Sequence, residues 1–311
     1  MGPFTDNPAL SISSLGEKAL LAQIRLWLGE AAPPSPAGMG DDCAVFAMEA
    51  NASALLTTDS VVLNRHFLES DPPALVGRKL LHRNLSDIAA MGGIPLRAVI
   101  AGFLPRTVSL AWLEACIRGL AAEALRHKVD IIGGDLTETT HDLALNMTLL
   151  GNATSPLMRS GAMPGDHIGV TGPLGGSRLG RHLRFAARLA EGQQLAALPG
   201  IHACMDISDG LAVDLPGMLS PDCSAALDFD AIPLHPDALQ ASHLSGQPPL
   251  WHALHDGEDH ELLFMFTPDT AQDQLPPHHC IGRILDHPGG LLLDSKTGAP
   301  ISDQHGYEHF R

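Results

Sequence analysis

Apolar positions along the chain change period several times, and each change predicts an element. In EKALLAQIRLWL (17–28) they recur at helical spacing and stop at Gly29. APPSPAGMG (32–40) is a Pro/Gly loop, and CAVFAM (43–48) and SALLTTD (53–59) read as strands, the second ending in polar residues. PALVGRKLLHRNLSDIAAMGG (73–93) predicts a long helix stopped by Gly92 and Gly93. LRAVIAGFLP (96–105) predicts a strand, and LAWLEACIRGLAAEALRHK (110–128) a second amphipathic helix. VDIIGGD (129–135) reads as a short strand ending in Gly-Gly-Asp, and LALNMTLLGNA (143–153) as a strand leading to a domain boundary near residues 153–156. Further on, DHIGVTG (166–172) is a strand before the glycine-rich turn GPLGGS. ACMDISDGLAVDL (203–215) holds a strand, a loop and a helix start, ELLFMF (261–266) is a strand after the acidic loop HDGEDH, and GGLLLD (289–294) holds a short one. Strands and helices alternate through both halves, which predicts a two-domain α/β (α+β) protein. The expected division is a loose tail over 1–15, an N-terminal domain over 16–153 and a C-terminal domain over 154–311.

Composition narrows the partners. Of 311 residues, 45% are hydrophobic, enough to build a core and set disorder aside. Lys and Arg number 19 against 35 Asp and Glu, a formal charge of −16, and no basic stripe is visible. Nucleic acid and anionic membranes are therefore not expected as partners. The five cysteines (Cys43, Cys116, Cys204, Cys223, Cys280) lie far apart without a CxxC pair, which favours a reduced compartment over a disulfide framework. The start, MGPFTDNPALS, lacks the charged and apolar regions of a secretion signal, and no apolar run is long enough to span a bilayer, so a cytoplasmic location is expected.

The candidate chemistry is acidic. GMGDDCAVF (38–46) places Asp41 and Asp42 side by side after a tight turn, and the arrangement recurs. Asp59 follows Thr57 and Thr58, Asp87 sits in NLSD, and Asp135 follows Gly133 and Gly134. Asp206 and Asp209 flank Ser208 in DISDG, and Glu258 and Asp259 follow Gly257. Singly, each has a plain structural reading: Asp beside Gly is a turn former, Asp87 a helix-surface partner of Arg83, Ser208 a cap for the helix starting at Gly210. Together, six acidic element ends converge only if cations neutralise them. Their oxygen ligands, without Cys/His spacing, suit Mg²⁺, which completes its shell with water and substrate phosphates. A phosphate-handling enzyme follows, although GxxxxGK[ST], GxGxxG and the protein-kinase signatures are missing and the chain has only four lysines. Metal ions would then supply most of the positive charge.

One ordered series of motifs adds a resemblance: GEKALL, GMGDDCAV, LLTTDSV, HF, NLSDIAAMGG, IIGGDLTE, RSGAMPGD, GVTGPLGGS, DISDGL, DGEDHELLF, IGRI and GYEHF. It resembles the thiamine-monophosphate kinases of the aminoimidazole ribonucleotide synthetase superfamily, from about Gly16 to Phe310. The resemblance implies the two-domain fold of that superfamily, with an N-terminal sheet domain that pairs in a homodimer and a C-terminal α/β domain. It implies ATP-dependent phosphorylation of thiamine monophosphate to thiamine diphosphate with several Mg²⁺ ions, and leaves a monovalent-cation requirement open. Carried over motif by motif, the metal role falls on Asp42, Thr57, Thr58, Asp59, Asp87, Asp135, Asp206 and Asp209. Asp42, Asp59, Asp87, Asp135 and Asp209 assist the transfer, with no dedicated general base. ATP contacts fall on Gly134, Asp135, Arg159 and Ser208, and acceptor contacts on His66, Glu258 and Tyr307.

Several positions depart from the family pattern. Phe185-Ala186-Ala187-Arg188 stands where Pro-x-Pro-Arg is frequent, His255-Asp256 where Gly-Gly is usual, and His260 where Tyr is usual. All lie on the C-terminal, acceptor side. Other ATP-dependent synthetases of the superfamily are disfavoured: the first cysteine is Cys43, the chain ends His-Phe-Arg, and TTDSVVLN replaces GTDGVGTK. A non-catalytic nucleotide- or ion-binding relative remains the alternative of a different class, and the retained aspartates argue against it.

Overall fold

A computed structural model describes residues 2–15, 17–34, 37 and 51–301. The GMGDD loop with Asp41 and Asp42, the strand expected over 43–48, and Tyr307 lie outside the described residues. The chain forms two units: Met1–Leu85 with Pro95–Asn152, and Ser86–Ile94 with Ala153–Arg311.

The first unit contains α1 (Glu17–Leu28), β1 (Ser53–Val62), most of α2 (Pro73–Ala90), β2 (Ile94–Pro105), α3 (Leu110–His127), β3 (Asp130–Thr139) and β4 (Ala144–Ala153). Its strands form a sheet in the order β1-β4-β2-β3, with β2 and β3 parallel. The amphipathic period read for α3 is the one observed: Trp112, Leu113, Cys116, Ile117, Leu120, Ala121 and Ala124 are its buried residues. Ser109 caps it, accepting from Trp112 N at 3.4 Å, and Lys128, at φ 57°, turns the chain out of it. Trp112 stacks on Phe67 with ring centroids 5.9 Å apart. The segment read as a tail pairs with residues 107–109: Thr5 N donates to Thr107 O at 2.9 Å and Ile12 N to Val108 O at 2.9 Å.

Two expectations change here. Thr57-Thr58-Asp59 and Gly133-Gly134-Asp135 do not end strands; they sit in the middle of β1 and β3. In β3 the physical reason lies in Gly134. A Cβ there would meet the Ile100 carbonyl oxygen at 2.1 Å, so the glycine lets β3 run close against β2 rather than stopping it. Leu56, Val99 and Phe103, on β1 and β2, are large apolar residues left exposed.

The second unit takes the C-terminal end of α2 and adds β5 (His167–Val170), α4 (Leu189–Ala196), β6 (Ile201–Asp206), α5 (Leu211–Asp214), β7 (Cys223–Leu227), α6 (Pro236–Ser245), α7 (Pro249–His255), β8 (Leu262–Phe266), β9 (His279–Asp286) and β10 (Leu292–Asp294). The strand order is β10-β7-β9-β5-β8-β6. Every residue of β8 is buried, which explains why LLFMF is a continuous apolar run rather than an alternation. Leu263 and Met265 join one apolar cluster with Ile168, Val170 and Ile284; Leu262, Phe264 and Phe266 join another with Ala89, Ala90 and Leu195. The sheet is thus covered on both faces. Among the described residues no helix is long and apolar enough to cross a membrane.

Candidate active site

In the first unit the polar stretch of β1 is tied to its neighbours. Thr58 Oγ1 donates to Met147 O at 3.1 Å, and Asn146 Nδ2 donates to Ser60 Oγ at 2.9 Å. Asp59 accepts from Arg83 Nη2 on α2 at 2.8 Å, so the arginine one turn before Asp87 also serves the strand. On β3, Asp135 accepts the Thr137 hydroxyl at 3.0 Å. Gly133, Gly134 and Asp135 help line a cavity of about 1120 Å³ whose lining also includes the apolar Ile24, Leu28 and Ile131. His66 is buried and turned into its own loop: its Nδ1 accepts from Val62 N at 3.1 Å, and its carbonyl accepts from Lys79 Nζ at 2.8 Å.

The second unit holds a tighter arrangement. Asp206 ends β6, only 2% exposed, and its Oδ2 accepts from Ser86 Oγ at 2.6 Å and from His260 Nδ1 at 3.2 Å. Burial opposes ionisation of this carboxyl. The hydrogen bond and charge of His260, the Ser86 hydroxyl and the charge of Arg159 outweigh it, so the pKa is held below its ordinary value. Both hydrogen bonds fall on Oδ2, leaving Oδ1 outside them. Asp87, on α2, is half-buried in this same unit.

After Asp206 the chain turns sharply, and one carboxylate holds the turn. Asp214 Oδ2 accepts from the backbone N–H of Ser208, Asp209 and Gly210 at 2.9, 3.0 and 3.1 Å. The Ser208 side chain makes no cap bond to α5; Asp214 reaches back to satisfy the loop instead. Burial, and then the charges of Asp209 and Asp206, push the Asp214 carboxyl up to about 7 despite those N–H donors.

The acidic loop before β8 lies against this turn. Glu258 N donates to Ser208 O at 2.8 Å, His260 N to Ile207 O at 2.8 Å, and Ile207 N to Glu261 O at 2.9 Å. Gly257, at φ +69°, comes so close that a Cβ would meet Ser208 O at 2.7 Å. Side chains from residues 171–188 lock the loop from the other side. Arg188 Nε and Nη2 each reach a different oxygen of Glu261 at 2.7 Å, and Thr171 Oγ1 donates to Glu261 at 2.7 Å. Arg181 pairs with Asp259, which also accepts Gly175 N at 3.0 Å. Phe185 stacks on His260, centroids 4.0 Å apart and planes at 16°. His255 packs on Trp251 at 4.8 Å, and Asp256 accepts Gly176 N at 2.8 Å.

The structure therefore brings Asp206, Arg159, Ser208, Asp209 and Glu258 together in the second unit, and Thr58, Asp59, Gly134 and Asp135 to the first unit's sheet. His66 is placed in a loop of the first unit. Asp214, Arg181 and Glu261 were missed in the sequence, and Arg188 was noted only as the end of the run that departs from the family pattern. Only Asp214 had a local signal, a short acid a few residues beyond DISDG; the ion pairs join residues far apart in sequence. As a divalent-cation site the second unit fits: its donors are hard oxygens, and the charges of Asp209 and Asp206, which add to burial in pushing up Asp214, are the field a cation would relieve. Asp206 and Asp209 there, and Thr57, Thr58, Asp59 and Asp135 in the first unit, are the groups of the right chemistry.

Comparison with known proteins identifies the family. Residues 40–153 match the family described as AIR synthase related protein, N-terminal domain. A thiamine-monophosphate kinase of Salmonella typhimurium is 36% identical over 303 residues, covering 88% of this chain and 91% of the relative. The crystal structure of thiamine-monophosphate kinase from Stenotrophomonas maltophilia K279a has a TM-score of 0.76 at 31% identity, covering 92% of this chain and 98% of that one. AaThiL complexed with AMPPCP and TMP also has a TM-score of 0.76, at 26% identity, covering 96% of this chain and 98% of the other. These likenesses span both units, and on them the chain belongs to the thiamine-monophosphate kinase family.

Proposed function

We propose that this protein transfers the γ-phosphoryl group of ATP to thiamine monophosphate, giving thiamine diphosphate. The observation that carries the reading is the likeness, over 96% of the chain, to a relative solved with an ATP analogue and TMP together. The physical chemistry of the acceptor agrees. A phosphate monoester has a second pKa of about 6, so at neutral pH its attacking oxygen is already deprotonated and no general base is required. The difficulty is to bring one anion against another, so catalysis rests on positioning and charge neutralisation.

In this reading Mg²⁺, when bound, supplies the neutralising charge between the two phosphates. Asp42, Thr57, Thr58, Asp59, Asp87, Asp135, Asp206 and Asp209 are assigned to hold it. Ser86 and His260 fix the orientation of Asp206, Asp214 holds the turn that carries Asp209, and Arg83 orients Asp59. Gly134, Asp135, Arg159 and Ser208 are assigned to ATP, and His66, Glu258 and Tyr307 to the acceptor. Residues 16–153 are read as the metal, ATP and dimerisation domain and 154–311 as the domain completing the ATP and acceptor site, in a cytoplasmic homodimer. The exposed Leu56, Val99 and Phe103 of the first sheet are the apolar surface that supports pairing.

The test is incubation of purified protein with ATP, Mg²⁺ and thiamine monophosphate, with thiamine diphosphate quantified. Stoichiometric product that vanishes with EDTA is expected; ATP binding without product would overturn the acceptor assignment. Direct in-line transfer further predicts no phosphorylated protein when γ-labelled ATP is used and the reaction is quenched, and a labelled chain would contradict it.

A further inference from the structure

In the first unit, α2 and α3 meet at a cluster that the proposed reaction does not use. His82 projects from α2, and Glu123 and His127 project from α3 one turn apart. Glu123 Oε2 lies 2.8 Å from His82 Nε2 and 3.7 Å from His127 Nε2, and the three ligand atoms all fall within 4.8 Å of one another. His82 is 1% exposed, and the His127 Nε2 atom is buried without a hydrogen bond. We propose that His82, Glu123 and His127 form a site for a transition-metal dication such as Zn²⁺, which pins α2 to α3.

The geometry is close to what such an ion requires. Tetrahedral ligands at the usual Zn–N and Zn–O bond lengths stand about 3.4 Å apart. One of the two measured separations must therefore open by roughly half an ångström and the other close by a few tenths. Two imidazoles and one carboxylate make a three-ligand set that leaves a fourth position for water. Burial lowers the pKa of both histidines, which favours the neutral ring that ligates metal; at His82 the Nε2 proton that faces Glu123 must move to Nδ1 as the ion binds.

The charges around the cluster decide which ion fits. Arg78 Nε stands 3.7 Å from Glu123 Oε1, and Arg126, with a side chain 70% exposed, stands 3.8 Å from Oε2. Their repulsion disfavours an ion held by charge alone, such as Mg²⁺ on a single carboxylate. It is overcome only by an ion that bonds imidazole strongly, which is the Zn²⁺, Co²⁺ and Ni²⁺ class. The ion would act on structure: α2 also carries Arg83, which orients Asp59.

The experiment is a Co²⁺ titration of the native chain in excess Mg²⁺, followed by visible absorption, with thermal unfolding measured with and without Zn²⁺. Expected are one Co²⁺ per chain with the intense bands of tetrahedral coordination, displacement by Zn²⁺, and a Zn²⁺-dependent rise in Tm. His127→Ala, at a half-buried position, and the gentler His127→Asn should both lower Co²⁺ affinity at least about tenfold and lose the Zn²⁺ stabilisation. The chain has 17 histidines, so uptake that survives unchanged in both variants would locate the metal elsewhere and overturn the proposal, as would native protein without tetrahedral bands. The readout needs no turnover, so it stands or falls independently of the kinase assay.

Discussion

The acidic residues of the two units are held in opposite ways. On the first unit's sheet, Asp59 is half-buried and Asp135 exposed, each with one hydrogen-bond partner described above, Arg83 and Thr137. In the second unit, Asp206, Asp214, Asp259 and Glu261 are buried and each is bound by several donors. A part-exposed carboxylate contributes little to folding and can be spent on ligand binding; a buried one that organises its neighbours contributes to both. Substitutions in the second unit should therefore cost stability and activity together, and those in the first unit mainly activity.

The largest expected effect is at Asp206. Asp206→Ala leaves the Ser86 hydroxyl and the His260 Nδ1–H buried without their acceptor, a cost of about 3 kcal/mol in urea unfolding, and it should lower kcat by at least about 10²-fold. Arg188→Ala comes next. It strands Glu261, whose side chain is 6% exposed, and should cost about 2 kcal/mol by the same measurement, discounted because Arg188 itself is 31% exposed. A smaller, pH-dependent effect belongs to Asp214. Its folded pKa of about 7 lies above the unfolded value of 3.8, so the unfolded chain releases the proton first as pH rises. Its contribution to stability is thus greatest near pH 4 and falls toward pH 7. In metal-free buffer, Tm of the native chain minus Tm of Asp214→Asn should decrease across that window; a flat difference would contradict the assignment. Smallest on stability is Asp59→Asn, which keeps an oxygen to accept from Arg83 and loses only the charge of the pair, and should shift unfolding by about 1 kcal/mol.

The contrast also separates what the sequence revealed from what it hid. The long helices α2 and α3 were legible because their apolar period is sustained. Asp59, Asp135, Asp206 and Asp209 were legible as recurring short acids beside small residues. The strand β3 runs on past Asp135, because Gly133-Gly134 resembles a stop signal while Gly134 serves the close approach of two strands. The short α4, α6 and α7 carry too few turns for a period to emerge. The Arg188–Glu261 and Arg181–Asp259 pairs join residues more than seventy positions apart, and no local pattern announces such a partner. Phe185 and His260 looked like two unrelated departures from the family pattern until the fold stacked one on the other and set His260 against Asp206.

The central claim is the proposed Mg²⁺-dependent transfer to thiamine monophosphate, with carboxylates of each unit assigned to the metal. The most direct measurement is the initial rate of thiamine diphosphate formation against Mg²⁺ concentration for the native chain, Asp59→Asn and Asp209→Asn. Both variants should lose at least about 10²-fold in kcat and need more Mg²⁺ for half-maximal rate, with Asp59→Asn keeping near-native thermal stability. Native rates and native Mg²⁺ dependence in either variant would contradict it.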